Sequence, residues 1–225
     1  MNLKQVTITG ADDSTHLAEM QRLSEEFPFL EWGLLVGSSM SDFGRPRFPG
    51  IQFFENLRRV QEAGILHRVS LHACGKPIRD LLEGNPLAFL HVPECGFARM
   101  QLNFHAEGKK ALNLRAVQSI LAGTAERFGL STVIFQIDGG EGENLCKSVA
   151  ARINETYEDD ELPFIVAPFY DLSHGAGVLP DVWPPAQILC HYRGDPTYTG
   201  YGGGLSPENL AEELPKIAAA AGDVP

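Results

Sequence analysis

Clustered positive charge is the first thing this sequence lacks. Its 225 residues hold 18 Lys and Arg against 29 Asp and Glu, a formal charge of −11. No basic patch of the kind that holds a phosphate backbone is present, so no nucleic-acid surface is expected and the acidic balance reads as solubility. Also missing is any apolar run of the ~20 residues that would cross a bilayer. The opening "MNLKQVTITG" has no charged head followed by an apolar stretch, so neither a signal peptide nor a membrane span is expected. The four cysteines, at 74, 95, 146 and 190, form no C-x-x-C pair and no zinc spacing, in a chain too long to need disulfide staples; a reducing cytoplasm fits. No G-x-G-x-x-G follows the first strand, which removes the usual mark of a dinucleotide fold. No cofactor is called for.

What the sequence does contain is a regular alternation. Strand patterns fall at 6–9, 32–37, 68–74, 100–105, 132–138, 164–167 and 199–202, and amphipathic helical stretches at 14–26, 51–63, 76–83, 113–128, 143–155 and 207–221. Only the link after the sixth strand is irregular, because Pro180, Pro184 and Pro185 oppose a helix there. Strand and helix in turn, at roughly 25–35-residue spacing, indicate a parallel sheet with crossover helices. We read the chain, 1–225, as a single α/β domain of the TIM-type (β/α) barrel, in preference to an open doubly wound sheet. Seven strands are readable. The sequence stops at "AGDVP", where an eighth would begin, leaving edges that need a cover and are compatible with a homodimer.

Strand parity adds a site. Thr7 and Thr9, Ser70, His72 and Cys74, Gln101, Asn103 and His105, and Gln136 and Asp138 each share one face of their strand, opposite the apolar residues. A parallel sheet covered by helices should be apolar on both faces. The polar face therefore points into the barrel, with chemistry at the strand C-terminal ends. Asp171 stands where the sixth strand ends. His174, Gly175 and Gly177 follow it in a position to line the mouth.

The run "GYGGGLSPENL" closes the series. Ser206 is suited to N-cap a helix and Pro207 to its first position, Leu205 and Leu210 have the spacing of a hydrophobic staple, and Pro215 should bend or end the helix. Glycines leading into a helix N-terminus leave uncovered N–H groups that a phosphate can reach; Gly202, Gly203, Gly204 and Ser206 are the candidates. Arg45 and Arg47 in "SSMSDFGRPRFPG" offer forks for a carboxylate or phosphate. His72, His105, Asp138 and Asp171 all fall near strand ends, but without a metal-binding spacing, so acid-base duty is read in preference to a metal.

These stretches resemble a family. "VTITG", "GRPRFPG", "MQLNF", "YDLSHGAGVLPDVW" and "GGGLSPENL" are similar, in that order, to motifs of phosphoribosylanthranilate isomerase, a barrel enzyme of tryptophan biosynthesis. The resemblance runs from residue 6 to about residue 210. It implies an Amadori rearrangement of a phosphorylated sugar, with a cysteine base and an aspartate acid. Asp171 takes the acid's place and Arg47 that of the arginine facing the anthranilate carboxylate, while Thr9 takes the cysteine's place and Asn103 stands where the family has histidine. A threonine hydroxyl cannot abstract a proton unaided near neutral pH. A replacement base is sought in Asp138 first, then His72, His105 or Cys74. Two other readings stand beside this one: a sugar-phosphate binder without catalysis, and a metal-dependent epimerase.

Overall fold

The computed structural model describes residues 3–37, 43–64, 68–103, 113–157, 161–173, 176–189, 191–192 and 195–224. Within them the expected alternation is present as β1 (Val6–Thr9), α1 (Leu17–Glu26), β2 (Leu30–Val36), α2 (Ile51–Glu62), β3 (Val69–Ala73), α3 (Lys76–Leu82), β4 (Arg99–Leu102), α4 (Leu114–Phe128), β5 (Thr132–Ile137), α5 (Gly140–Thr156) and β6 (Ile165–Tyr170). A short antiparallel pair, β7 (His191–Tyr192) with β8 (Asp195–Pro196), precedes β9 (Gly200–Tyr201) and α6 (Leu210–Ala221). The main sheet has seven strands, all parallel, ordered β1-β2-β3-β4-β5-β6-β9 as they occur along the chain.

The two faces of this sheet do different work. Leu34, Val69, Leu71, Met100, Leu102, Val133, Phe135 and Val166 are buried on one face, in one cluster with Met20, Leu57, Leu81, Leu121, Val149 and Ile153 from the helices. The other face carries Thr7, Glu31, Ser70, His72, Gln101 and Gln136. Ile134 and Ala167 are buried there without joining the helix-side cluster.

The polar face is concave. Arg99 on β4 donates to Thr7 Oγ1 on β1 at 3.3 Å, although three strand steps at ~4.8 Å would hold these strands about 14 Å apart on a flat sheet. Only a curled sheet brings the side chains together. The sheet is thus a half-barrel with helices between its strands. Among the described residues β1 and β9 carry no strand on their outer sides, so a closed barrel is not what the structure presents.

Local differences from the sequence reading have local causes. The first helix begins at Leu17, not at residue 14, because Asp12 Oδ1 accepts from the Ser14 N–H and hydroxyl while Thr15 Oγ1 accepts from the Asp12 N–H. These side-chain bonds offer the backbone a turn in place of a helix. The last helix begins at Leu210, not at residue 207 with Ser206 as its cap. Asn209 Oδ1 accepts from the Ser206 N–H at 2.9 Å, and its amide donates to the Gly204 carbonyl at 2.7 Å, holding residues 204–209 in a turn. Pro215 neither ends nor interrupts the assigned helix, which continues to Ala221. Six residues in, its missing N–H removes only the bond to the Ala211 carbonyl. No helix is long and apolar enough to cross a membrane among the described residues.

Candidate functional site

The concave face is organised from its N-terminal end by an ion pair. Glu31, 0% exposed, receives two hydrogen bonds from the Arg99 guanidinium, at 2.9 and 2.6 Å, and a third from the Thr7 hydroxyl at 2.9 Å. Burial alone would raise the Glu31 pKa. The hydrogen bonds and charge of Arg99, with the Thr7 and Ser70 hydroxyls, bring it below the usual carboxylate value. Between β2 and β4 lies Ser70, small enough for Arg99 to pass over it. Its Oγ is 3.1 Å from Nε2 of His72, one layer higher.

His72 is buried, and desolvation holds its imidazole down to about 4, with the Glu31 charge raising and the Arg99 charge lowering it. The ring has room because residue 33 is glycine: a Cβ there would lie 2.7 Å from both Cε1 and Nε2 of His72 and 3.1 Å from the Thr9 methyl. His72 and Thr9 therefore flank the same backbone position from β3 and β1.

This burial predicts a pH dependence. An unfolded histidine takes up a proton near pH 6.5, whereas His72 resists until about 4. Between those values the unfolded chain binds a proton that the folded one does not. Stability should therefore fall as pH is lowered from 6.5 towards 4, by up to about 3 kcal/mol from this group, and be independent of it above pH 7. The depressed Glu31 adds a further loss as the pH falls towards its folded pKa. Denaturant midpoints between about pH 7.5 and 4 measure the slope, and His72→Gln should flatten it.

The C-terminal ends of β5, β6 and β9 form a second group. Asp171 directly follows β6, and its N–H is held by the Ile137 carbonyl of β5 at 3.1 Å. Gln136 Nε2 donates to its Oδ2 at 3.2 Å, and Oδ1 accepts from the Ser173 hydroxyl at 2.5 Å and N–H at 3.1 Å. These three bonds fix the direction of the carboxylate. Gly203 lies against it, close enough that a Cβ would stand 2.7 Å from Asp171 Oδ1.

Gly203 and Gly204 both have positive φ, +92° and +67°, which L side chains adopt at a cost. A Cβ at Gly204 would also run into the backbone of Val178 and Leu179 and come within 3.1 Å of the Gly177 carbonyl oxygen. The glycines are thus required twice over, by conformation and by the loop after β6. Gly202 is pressed against the Phe169 ring, and its own N–H is spent on the Tyr170 carbonyl. The Gly203 and Gly204 N–H groups donate to no partner among the described residues. The Ser206 N–H is occupied by Asn209, so it is not free for a ligand in this structure.

The rim after β1 is tied to the loop after β2. Asp12 Oδ2 accepts from the Arg47 N–H at 2.7 Å, and Asp13 Oδ2 from the Gly50 N–H at 2.8 Å. Arg47 adopts φ +70°. Its side chain leans over Gly10, where a Cβ would be 3.1 Å from Arg47 Nε, and no carboxylate among the described residues pairs with its guanidinium. Thr9 is exposed beside it.

Two groups therefore emerge: Thr9, Arg47 and His72 at β1 to β3, and Asp171, Gly177, Gly203 and Gly204 at β6 and β9. No hydrogen bond or ion pair among the described residues joins them. Asp138, half-buried, directly follows β5, with Oδ1 3.7 Å from the position a Gly142 Cβ would take in the first turn of α5. His105, His174 and Gly175 lie outside the described residues. No group of three or more His, Cys, Asp or Glu converges among those described, so His72, Asp138 and Asp171 lend no geometry to the metal-dependent reading.

Sequence reasoning misses Glu31 and Arg99 altogether. It places the start of the second strand at Trp32 and that of the fourth at Met100, one residue past each charge. It sets Gln136 on the inward face, but not against Asp171. A cleft of about 710 Å³ lies away from these groups, where α4 and α5 lead into β5 and β6, lined by Glu126, Gly129, Tyr157, Leu162 and Phe164 among others. It shares no residue with the strand C-terminal ends, where parallel α/β sheets hold their ligands.

No family model, curated protein or solved structure matches this chain. The reading of its function rests on residues and geometry.

Proposed function

We propose that the chain binds a phosphorylated sugar at the C-terminal ends of β6 and β9 and isomerises it by acid-base proton transfer, as the phosphoribosylanthranilate isomerases that it resembles do. One observation carries this reading: the Asp171 carboxylate lies against Gly203, and the Gly203 and Gly204 N–H groups beside it meet no partner among the described residues. An anion of a single phosphate's size is bound by such N–H groups without a basic patch, which suits a chain of charge −11.

With the phosphate there, Asp171 supplies the proton that opens a ribosylamine ring. The proton goes to the ring oxygen, the bond from that oxygen to C1 breaks, and the amine nitrogen forms a C1=N⁺ iminium. A base then removes the C2 proton. The C–H electron pair becomes a C1=C2 bond, the iminium nitrogen becomes a neutral amine, and the resulting enol returns to a ketose by moving its hydroxyl proton to C1. Arg47, at the opposite rim, suits a carboxylate on the amine substituent.

The test is turnover of phosphoribosylanthranilate by the purified protein, with binding of ribose 5-phosphate followed calorimetrically. Gly203→Ala should weaken the sugar phosphate at least tenfold, because the added methyl meets Asp171 and the backbone must leave φ +92°. Saturable binding without turnover would leave only the binding role. Absence of both sinks the proposal.

A further inference from the structure

Backbone N–H groups hold a phosphate but do not tell a sugar phosphate from the free ion. That distinction needs a surface for the C–H face of the pentose. We propose that the Phe169 ring is this surface and that it sets the preference of the site for a sugar phosphate over inorganic phosphate. The inference rests on the reading of a sugar-phosphate ligand at β6 and β9.

Phe169 stands on the concave face. It is in register with Gln136 on β5 and Gly200 on β9, and Gln136 is the residue of that face that donates to Asp171. Phe169 is half-buried, and it belongs neither to the helix-side cluster nor to the residues packed against it. One layer below lie Ile134 and Ala167, paired across the two strands and buried. The concave face is thus apolar at β5 and β6, where at β1 to β4 it carries Thr7, Glu31, Ser70 and Arg99.

Two glycines place the ring. A Cβ at Gly200 would stand 2.5 Å from Phe169 Cδ2 and 3.4 Å from both Cγ and Cε2, and one at Gly202 would stand 2.4 Å from Cζ and 3.0 Å from Cε1. The ring therefore fills the slot that side chains at 200 and 202 would occupy. It reaches across from β6 with its edges towards those two positions, lies over the β9 backbone and turns its other face to the concave side. Glycine weakens a strand, and two of them here make room for an aromatic ring that the helix-side core does not use.

The ring also borders the phosphate turn. Cζ lies at Gly202, the next residue is Gly203, and Asp171 Oδ1 is the atom closest to a Cβ at Gly203. Asp171 and Phe169 share one parity of the chain, two residues apart. A pentose joined through its methylene to a phosphate at Gly203 and Gly204, with its ring oxygen at Asp171, covers the open face of Phe169. That contact takes apolar surface out of water and sets C–H hydrogens against the negative face of an aromatic ring.

Calorimetric titration of the parent, Phe169→Leu and Gly200→Ala with ribose 5-phosphate and with inorganic phosphate tests this. The parent should bind ribose 5-phosphate about tenfold more tightly than inorganic phosphate, and Phe169→Leu should reduce that ratio about fivefold. Gly200→Ala, whose methyl displaces the ring, should reduce the ratio in the same way. An unchanged ratio in Phe169→Leu overturns the inference, as does a parallel loss of both ligands, which would mean that the ring only supports the glycine turn. Binding by the parent without turnover sinks the isomerase reading, while the ratio still decides the role of Phe169; binding of neither ligand sinks both. If Phe169→Leu fails to fold, nuclear Overhauser effects between the Phe169 ring protons and the ribose C–H protons in the parent decide, and their absence overturns the inference.

Discussion

Arg99→Met should destabilise the fold at neutral pH by roughly 3–5 kcal/mol, the largest single loss expected from this chain. The reason lies in what stays behind. Glu31 is 0% exposed, and without Arg99 it keeps only the Thr7 and Ser70 hydroxyls to offset desolvation. A carboxylate so placed must either remain charged in a low-dielectric setting or take up a proton at neutral pH, and both cost stability. His72 then becomes relevant. Arg99 lowers its pKa and Glu31 raises it, so loss of Arg99 favours a proton on the buried Glu31 and His72 together. The folded variant would bind a proton near neutrality that the unfolded chain does not, so its deficit should shrink as the pH falls towards 6. The parent, by contrast, loses stability in that direction. Urea midpoints for Arg99→Met, Glu31→Leu and the double variant measure both effects. The double variant should recover most of the loss, since an apolar pair of similar volume replaces a buried ion pair at little cost. A single variant within 1 kcal/mol of the parent at pH 7 would mean that water reaches Glu31 in solution.

The same ion pair shows why some of this molecule can be read in its sequence and some cannot. Parity places Ser70, His72, Gln101 and Gln136 on one face correctly, because alternation is a property of each strand alone. Glu31 alternates in the same way, in phase with Gly33, but a glutamate just ahead of the apolar run that begins at Trp32 looks like the solvated residue before a strand. Its burial follows from Arg99, 68 residues away on a strand two places across the sheet, and nothing local announces that pairing. The glycine run divides similarly. A turn into a helix is legible from the glycines, Ser206 and Pro207, whereas the reason Gly204 cannot carry a side chain is the path of residues 177–179, which no pattern encodes. The cap is misassigned for a related reason: Ser206 and Asn209 are both good capping residues, and the contest goes to Asn209 because its amide reaches Ser206 N–H and Gly204 C=O at once. The hairpin of β7 and β8 also escapes the sequence reading, being two residues a side in a stretch that reads as loop.

Asp171→Asn should lower turnover by about 10³ while leaving the fold and the affinity for ribose 5-phosphate within a few-fold of the parent. The surroundings of the carboxylate allow this separation. Oδ1 accepts from Ser173 and Oδ2 from Gln136. An asparagine keeps an oxygen towards Ser173, and its amide meets Gln136, which can turn its own amide to present oxygen. The hydrogen bonds are then remade with one reversed, and the contact with Gly203 survives because the two side chains have the same shape. What is lost is the proton. An amide cannot protonate a ring oxygen, so the C1–O bond must break without assistance, while a phosphate held by the Gly203 and Gly204 N–H groups is unaffected. Gln136→Leu gives the complementary result: it leaves the acid in place but frees its Oδ2, so kcat should fall by about tenfold, with the Ser173 bonds alone to orient it. The ordering of the two effects, with Asp171→Asn far below Gln136→Leu in kcat and neither changed in ribose 5-phosphate affinity, distinguishes a proton donor from a carboxylate that merely buttresses the glycine turn. A buttress would show the reverse, with Asp171→Asn losing affinity and stability in parallel with Gly203→Ala.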